Sequence, residues 1–256
     1  MPPFLFEFMD QKWVPPSLHA TLRDVLGFHL RVTLFYYYRW AAESALRTAE
    51  GVGATRVSEL GAGSAGFSQT LANLIRQRHA DIGVEISDLR PNAEQYRSLE
   101  AEYPGILSAR MDSVDFTTKP SPDNDRDVVV LSAAFHHVPP EARERVLKAM
   151  VLRRVMIFES VTRNLKSIFG CAIGFLPAMA TPLYFIGRRP GRWRRFVWCW
   201  LIPVAPLMVA WDGVVSCLRC WTEDEWRQEL QRLGLDKDRI DIERRGFSHV
   251  ISWAAR

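Results

Sequence analysis

Within this chain of 256 residues, the run Val57-Ser-Glu59-Leu-Gly61-Ala-Gly63-Ser-Ala-Gly66-Phe67-Ser carries the densest chemistry. It reads as a strand, a glycine loop and a helix. Glycines there let a nucleotide-type ligand approach backbone amides at a helix N-terminus. Glu59 places a carboxylate at the strand end, ahead of the first glycine. Asp88 follows Gly66 by 22 residues, at the end of the next strand, where a carboxylate can accept hydrogen bonds from both ribose hydroxyls. Glu85 is the rival for that role, because the strand's end is free to fall a few residues earlier. Further on, Phe135-His136-His137-Val-Pro139 follows an apolar strand. An imidazole titrates near neutral pH and can take a proton from an acceptor hydroxyl. Adjacent histidines on such a turn cannot both point inward: His137 is the preferred base, His136 the second candidate, and a structural role for both the third reading. Glu159 closes another apolar strand, where a carboxylate faces the ligand crevice; it can act as a base, hold the acceptor or pair with Arg163.

The elements that must position these residues follow from periodicity. Residues 1–17 are aromatic and proline-punctuated, with Ser17 expected to cap a helix. From Leu18 a helical apolar pattern runs through Phe35, Tyr36, Tyr37, Tyr38 and Trp40 toward Leu46, as one long helix or two short ones. Strands are expected at 55–60, 80–88, 107–111, 127–132 and 155–159, with helices at 67–78, 92–102 and 140–150 between them. Such units build a doubly wound, mostly parallel α/β sheet with right-handed crossovers. The alternation stops at residue 164. Two long charge-free stretches follow, joined by Arg188-Arg189-Pro-Gly-Arg192-Trp-Arg194-Arg195. It resumes at Thr222-Glu-Asp-Glu225, a capping box opening a helix to Leu233, before two closing strands near 240–244 and 248–253. The expected organisation is an N-terminal helical segment (1–50), a core (51–163 and 220–256) and an apolar helical insertion after the fifth strand (164–219).

The acid, the glycine loop and Asp88 together resemble the class I S-adenosylmethionine (SAM)-dependent methyltransferases, whose first motif reads E-x-G-x-G-x-x-G. The resemblance covers roughly residues 55–160 and 222–256. It implies a Rossmann-like core and SAM as cofactor. Glu59, Gly61, Gly63 and Gly66 would then lie against the methionine portion, and Asp88 would hold the ribose. It also implies an acid or amide near the adenine amino group after the third strand, a place taken by Asp112 with Ser113 beside it; a solvated turn is the other reading of Asp112. The segment holding His136 and His137 would line the methyl-transfer region. A dinucleotide oxidoreductase is the competing use of the loop, and Glu59 argues against it because a carboxylate there would repel a diphosphate. A non-catalytic SAM-binding module is the second alternative.

Insertions after the fifth strand build acceptor specificity in related enzymes, and the oily composition here implies a lipophilic acceptor, methylated at oxygen. Prolines 177, 182, 203 and 206 interrupt both apolar stretches, so a hairpin at an anionic membrane surface, through residues 167–211, is expected rather than two spans. A soluble cap over the site, or a homodimer interface, is the alternative use of those faces. Asp212 and Arg219 are expected to pair. The 33 basic and 29 acidic residues, net +4, are too balanced to indicate a nucleic-acid partner. Cys217-x-x-Cys220 has no second pair, so no metal is assigned. Cysteine usage and the absence of a secretory pattern at the first residues point to a cytoplasmic protein, peripheral on the inner face of the membrane.

Overall fold

A computed structural model of the chain describes residues 5–32, 34–118, 127–187 and 190–254. Along the chain come α1 (Pro16–Val32), α2 (Phe35–Gly51), β1 (Arg56–Leu60), α3 (Gly66–Arg78), β2 (Gly83–Ser87), α4 (Ala93–Glu102) and β3 (Leu107–Ala109). Then follow β4 (Val128–Ser132), α5 (Pro140–Met150) and β5 (Arg154–Glu159). The insertion holds α6 (Leu165–Ile173), the short turns α7 (Phe175–Ala178), α8 (Thr181–Tyr184) and α9 (Arg192–Phe196), and α10 (Val204–Arg219). The chain closes with α11 (Glu223–Arg232), β6 (Ile240–Arg245) and β7 (Ser248–Trp253). Two compact units result: residues 1–35 with 161–220, and residues 36–160 with 221–256.

The second unit is a seven-stranded sheet in the order β3-β2-β1-β4-β5-β7-β6. Its first five strands are parallel, and β7 runs antiparallel between β5 and β6. Every residue of β4 is buried, as a central strand covered on both faces requires, and the branched side chains of Val128, Val129 and Val130 suit that place. On one face α5 and α11 bring Val146, Leu147, Trp226 and Leu230 against Val129, Leu131, Val155, Ile157 and Ile251. Each such aliphatic side chain contributes about 1.5–3 kcal/mol by leaving water. On the other face α2 sets Tyr38 and Trp40 edge-on to Phe158, with ring centroids 5.2 and 6.5 Å away. The capping box at the start of α11 is present: the Thr222 amide donates to Glu225 Oε2 at 2.8 Å, and the Glu225 amide to Thr222 Oγ1 at 3.3 Å.

The first unit is all helical. Val14, Leu18, Leu22 and Val25 pack with Ala178, Cys199 and Ala205, and Asp24 of α1 accepts from Arg194 at 2.6 Å and Arg195 at 3.1 Å. The expected N-terminal segment 1–50 therefore divides near Phe35. The apolar stripe of α1 belongs with the insertion, whereas Tyr38 and Trp40 tie α2 to the sheet. Ser17 does not cap α1, which starts a residue earlier at Pro16 and has the Ser17 carbonyl accepting from Thr21 Oγ1; proline is preorganised for that first position. Asp212 and Arg219 do not pair with each other. Asp212 accepts the amides of Phe8 and Met9 at 2.7 and 3.0 Å, and Arg219 bridges to Glu7 at 2.9 Å. Both hold the N-terminal segment on α10. Among the described residues no single helix is long and apolar enough to cross a membrane; residues 192–201 and 204–219 pass that test only as a pair bent by 74°. Arg188 and Arg189 of the basic connector lie outside the described residues.

Candidate active site

Four parallel strands, β2, β1, β4 and β5, deliver their C-terminal ends side by side, and the order reverses between β1 and β4. Ligands of open α/β sheets bind at such a switch point. Leaving β1, the chain makes a tight loop in which Gly61 and Gly63 have φ of +71° and +53°. A Cβ on Gly61 would stand 3.0 Å from the Phe116 ring and 3.2 Å from Ala134 Cβ, so both backbone and space demand glycine. At Gly63 and Gly66 an added Cβ would meet nothing within 4 Å; this side of the loop is open. Helix α4 braces the loop from behind, with Tyr96 Oη donating to the Gly63 carbonyl at 3.2 Å and Gln95 Nε2 to that of Ser64 at 2.6 Å.

Glu59 is fully buried at the end of β1. Its carboxyl accepts from the Ser68 hydroxyl of α3, and Ser132 at the end of β4 also bonds to it. Among the described residues no cation lies within ion-pair distance of it. Burial pushes its pKa up to about 8; the hydroxyls of Ser68 and Ser132 pull it down and Asp88 adds to the rise. A buried carboxyl held by two hydroxyls and the Ser68 backbone amide is a site that lacks a positive charge, and a cationic ligand would supply one. Asp88 stands one residue beyond β2. One of its oxygens accepts from the Gly63 amide at 2.8 Å and the other from the Arg90 amide at 2.7 Å, so it shapes the glycine loop while keeping lone pairs for a ligand's hydroxyls. Glu85 lies within β2 and bridges to Arg56 at 3.0 Å, away from the loop.

A second buried cluster sits where β4 and β5 end. The one-turn helix Phe135–His137 buries His136 and leaves His137 exposed. Glu159, buried at the end of β5, accepts from the His136 amide at 3.1 Å and bonds His136 Nδ1 at 2.6 Å. Burial acts to raise the Glu159 pKa, but His136 outweighs it and the carboxyl is held below its ordinary range, with smaller help from His249 and His137. An ionised carboxylate only accepts, so in this bond the imidazole donates from Nδ1. The partner of Glu159 in the structure is thus His136. Tyr38 stands near both clusters: burial raises its pKa, and Glu59 and Glu159 raise it further.

No protein-family model and no curated protein sequence matches the chain. Solved structures do. Human N-acetylserotonin methyltransferase in complex with SAM superposes with a TM-score of 0.51 at 11% identity, over 94% of this chain and 56% of that one. PigF with SAH gives 0.50 at 15% identity, over 90% and 69%. An O-methyltransferase family protein from Burkholderia thailandensis gives 0.48 at 12% identity, over 86% and 58%. The fold is that of the class I SAM-dependent methyltransferases. The chain spans less than two thirds of the length of the human and Burkholderia proteins.

On this methyltransferase fold, Glu59, Gly61, Gly63, Gly66, Asp88, His136 and Glu159 all gather at one end of the sheet. Three expected residues are placed differently. His137 turns to solvent beside the buried His136, their rings 4.2 Å apart. The Asp112 side chain is 61% exposed and accepts two hydrogen bonds from Arg110, at 3.1 and 2.7 Å. The Ser113 hydroxyl is spent on the Leu89 carbonyl at 2.7 Å, tying the turn after β3 to the turn after β2. Three further residues had no motif to mark them. Ser68 and Ser132 meet Glu59 only in the fold. His249, buried on β7, faces Glu159 across the strand register; burial, with Arg244 assisting against Glu159, brings its pKa down to about 4.

Proposed function

We propose that this protein is a SAM-dependent methyltransferase acting on an oxygen of a lipophilic small molecule. The observation that carries the proposal is the pairing, at one sheet end, of a buried carboxyl without a cation and a buried imidazole oriented by a carboxylate. The first suits a ligand bearing sulfonium and ammonium charge. Glu59 and the open glycine loop would hold the methionine portion, and Asp88 the ribose hydroxyls. SAM and SAH, bound by the human enzyme and by PigF respectively, are ligands of that class. When bound, the cofactor supplies a methyl group on positively charged sulfur.

The chain's own part begins with orientation. In-line displacement needs the acceptor oxygen aligned with the methyl carbon, and alignment alone removes much of the barrier. His136 Nε2 would take the proton of the acceptor hydroxyl as that oxygen is methylated. Glu159 stabilises the resulting imidazolium through the 2.6 Å bond to Nδ1. His136 is accordingly the base in this reading, with His137 at the rim. Asp112 and Ser113 reach the adenine only if Asp112 exchanges its Arg110 partner for the ligand.

Against an oxidoreductase stands Glu59, which a diphosphate would meet as a like charge; against a purely binding module stands the His136–Glu159 pair, for which binding alone has no use. The acceptor's lipophilic character and its access from a membrane surface belong to the same proposal, supported by the apolar helices of residues 161–220. The test is calorimetric titration with SAM and SAH, followed by mass spectrometry of membrane extract incubated with the protein and isotopically labelled SAM. Binding and a labelled, methylated lipid-soluble product are expected. A chain that binds neither ligand refutes the proposal, and one that binds SAM but labels nothing leaves only the binding module.

A further inference from the structure

The helical unit of residues 1–35 and 161–220 turns its oily side outward. Along α6 and α7, Leu165, Phe169, Ile173 and Leu176 recur every three or four residues and are all exposed, Leu165 at 84% and Phe169 at 66%. The inward face of the same helix is small and mildly polar. Ser167 is buried and accepts the Thr162 amide, and Cys171 packs 3.6 Å from Cys217 against Gly213 of α10. A helix of a water-surrounded unit shows the reverse distribution. A second exposed row, Trp193, Phe196 and Trp200, rises from α9 as edge-to-face rings 6.0 and 5.8 Å apart, with Trp193 at 76% exposure. An exposed apolar surface of this extent marks a contact with a partner.

Charge decides which partner. This unit carries eleven basic and four acidic residues, a net +7, in a chain whose total is only +4. Three of the four acids are consumed internally: Asp24 by Arg194 and Arg195, Asp212 by two backbone amides, and Glu7 by Arg219. The exposed cations Lys12, Arg31, Lys166 and Arg192 are each adjacent in sequence to an exposed apolar residue, Trp13, Val32, Leu165 and Trp193, which places cations along the rim of the apolar surface. Alkyl stems lying along oil with cations at headgroup level, and indoles among them, are the chemistry of a membrane interface. A second copy of the chain would bring another +7 against the first, which like-charge repulsion opposes.

We propose that residues 161–220, with α1, bind in the plane of an anionic phospholipid leaflet. The α6–α7 stripe and the Trp193 row enter the acyl boundary, and the cations stay at the phosphates. No helix crosses, because none of those described has the length. This inference deepens the membrane access proposed above without resting on the methyl-transfer chemistry: SAM titration tests that chemistry and flotation tests this one.

The experiment is flotation of the full chain with phosphatidylcholine vesicles containing a quarter phosphatidylglycerol, against pure phosphatidylcholine, at low and molar salt. Wild type is expected to float with the anionic vesicles and to lose most of that binding in molar salt or on neutral lipid. The double variant L165E/F169E, at positions 84% and 66% exposed, is expected to bind at least about tenfold more weakly, with unchanged thermal stability. The milder L165A/F169A should fall between. Wild type remaining at the bottom of the gradient overturns the proposal, as does flotation that the double variant leaves unchanged. Light scattering that shows a dimer abolished by the same variant would overturn it too, assigning the face to a second copy.

Discussion

A ligand cation that must find Glu59 ionised has to displace a proton, and this makes cofactor affinity depend on pH in a calculable way. With burial holding the carboxyl at about 8, only the minority ionised fraction is ready below that pH. Affinity should therefore rise nearly tenfold per pH unit, by about ninefold between pH 6 and pH 7, equivalent to about 1.3 kcal/mol. The gain flattens above pH 8, where an amino acid's own ammonium group also begins to titrate and acts in the opposite direction. The groups facing Glu59 are Ser68, Ser132, Asp88, Tyr38 and Tyr96. None is a cation, so the hydrogen bonds from Ser68 and Ser132 offset only part of the burial cost. Calorimetric titration of SAM at pH 6, 6.5, 7 and 7.5, in buffers of different ionisation enthalpy, reads both the slope and the proton released. Glu59→Gln should flatten the slope and abolish the release while leaving the loop intact. A wild-type affinity that is level across this window, or a slope that survives in Glu59→Gln, would refute the reasoning.

The same carboxyl affects the free protein: its folded pKa is raised from 4.5 to about 8, so the stability it contributes is complete below pH 4.5 and is lost as pH climbs through 8. Glu59→Gln should lessen that alkaline loss in chemical denaturation, and an unchanged pH profile would contradict it. Glu159→Gln removes the charge that steadies an imidazolium at His136; kcat should drop about 10²–10⁴-fold with little change in SAM affinity, and equal losses in both would point to a binding role instead. Gly61→Ala forces a side chain into φ +71° and against Phe116; a loss of about 1–3 kcal/mol should appear in urea melts, together with weakened SAM binding. Thr222→Ala deletes the cap of α11 and should cost about 1 kcal/mol, a Tm fall of about 2–4 °C, with catalysis untouched.

Much of the sheet was legible because its punctuation is local. The valine run of β4, the proline opening α5 and the capping box of α11 each declare an element within a few residues, and their observed bounds lie close to those expected. The glycine loop was legible for the same reason, since φ above zero and close approach leave glycine as the fitting residue. What escaped was relational. No glycine or proline separates α1 from α2, so periodicity alone could not reveal that the two helices join different units. His136 and His137 are equivalent to any pattern; the short turn after β4 and the carboxylate on β5 make one a buried, carboxylate-bonded imidazole and the other a surface residue. Asp112 reads as a ligand group in a motif, yet Arg110 lies two residues away and claims it. His249 carries no signal, because its importance rests on strand pairing with Glu159.

The pairing of β5 with β7 has a consequence for biosynthesis. These neighbours lie about ninety residues apart in sequence, with the whole helical excursion between them, so a ribosome releases β5 with one flank bare long before its cover is made. Bare parallel strands rich in valine and isoleucine invite pairing with other nascent chains. Slow translation through residues 161–220, or a protein truncated before Ser248, should thus favour inclusion bodies. On the membrane-surface proposal, early capture of the emerging helices by lipid would shield the chain during that interval.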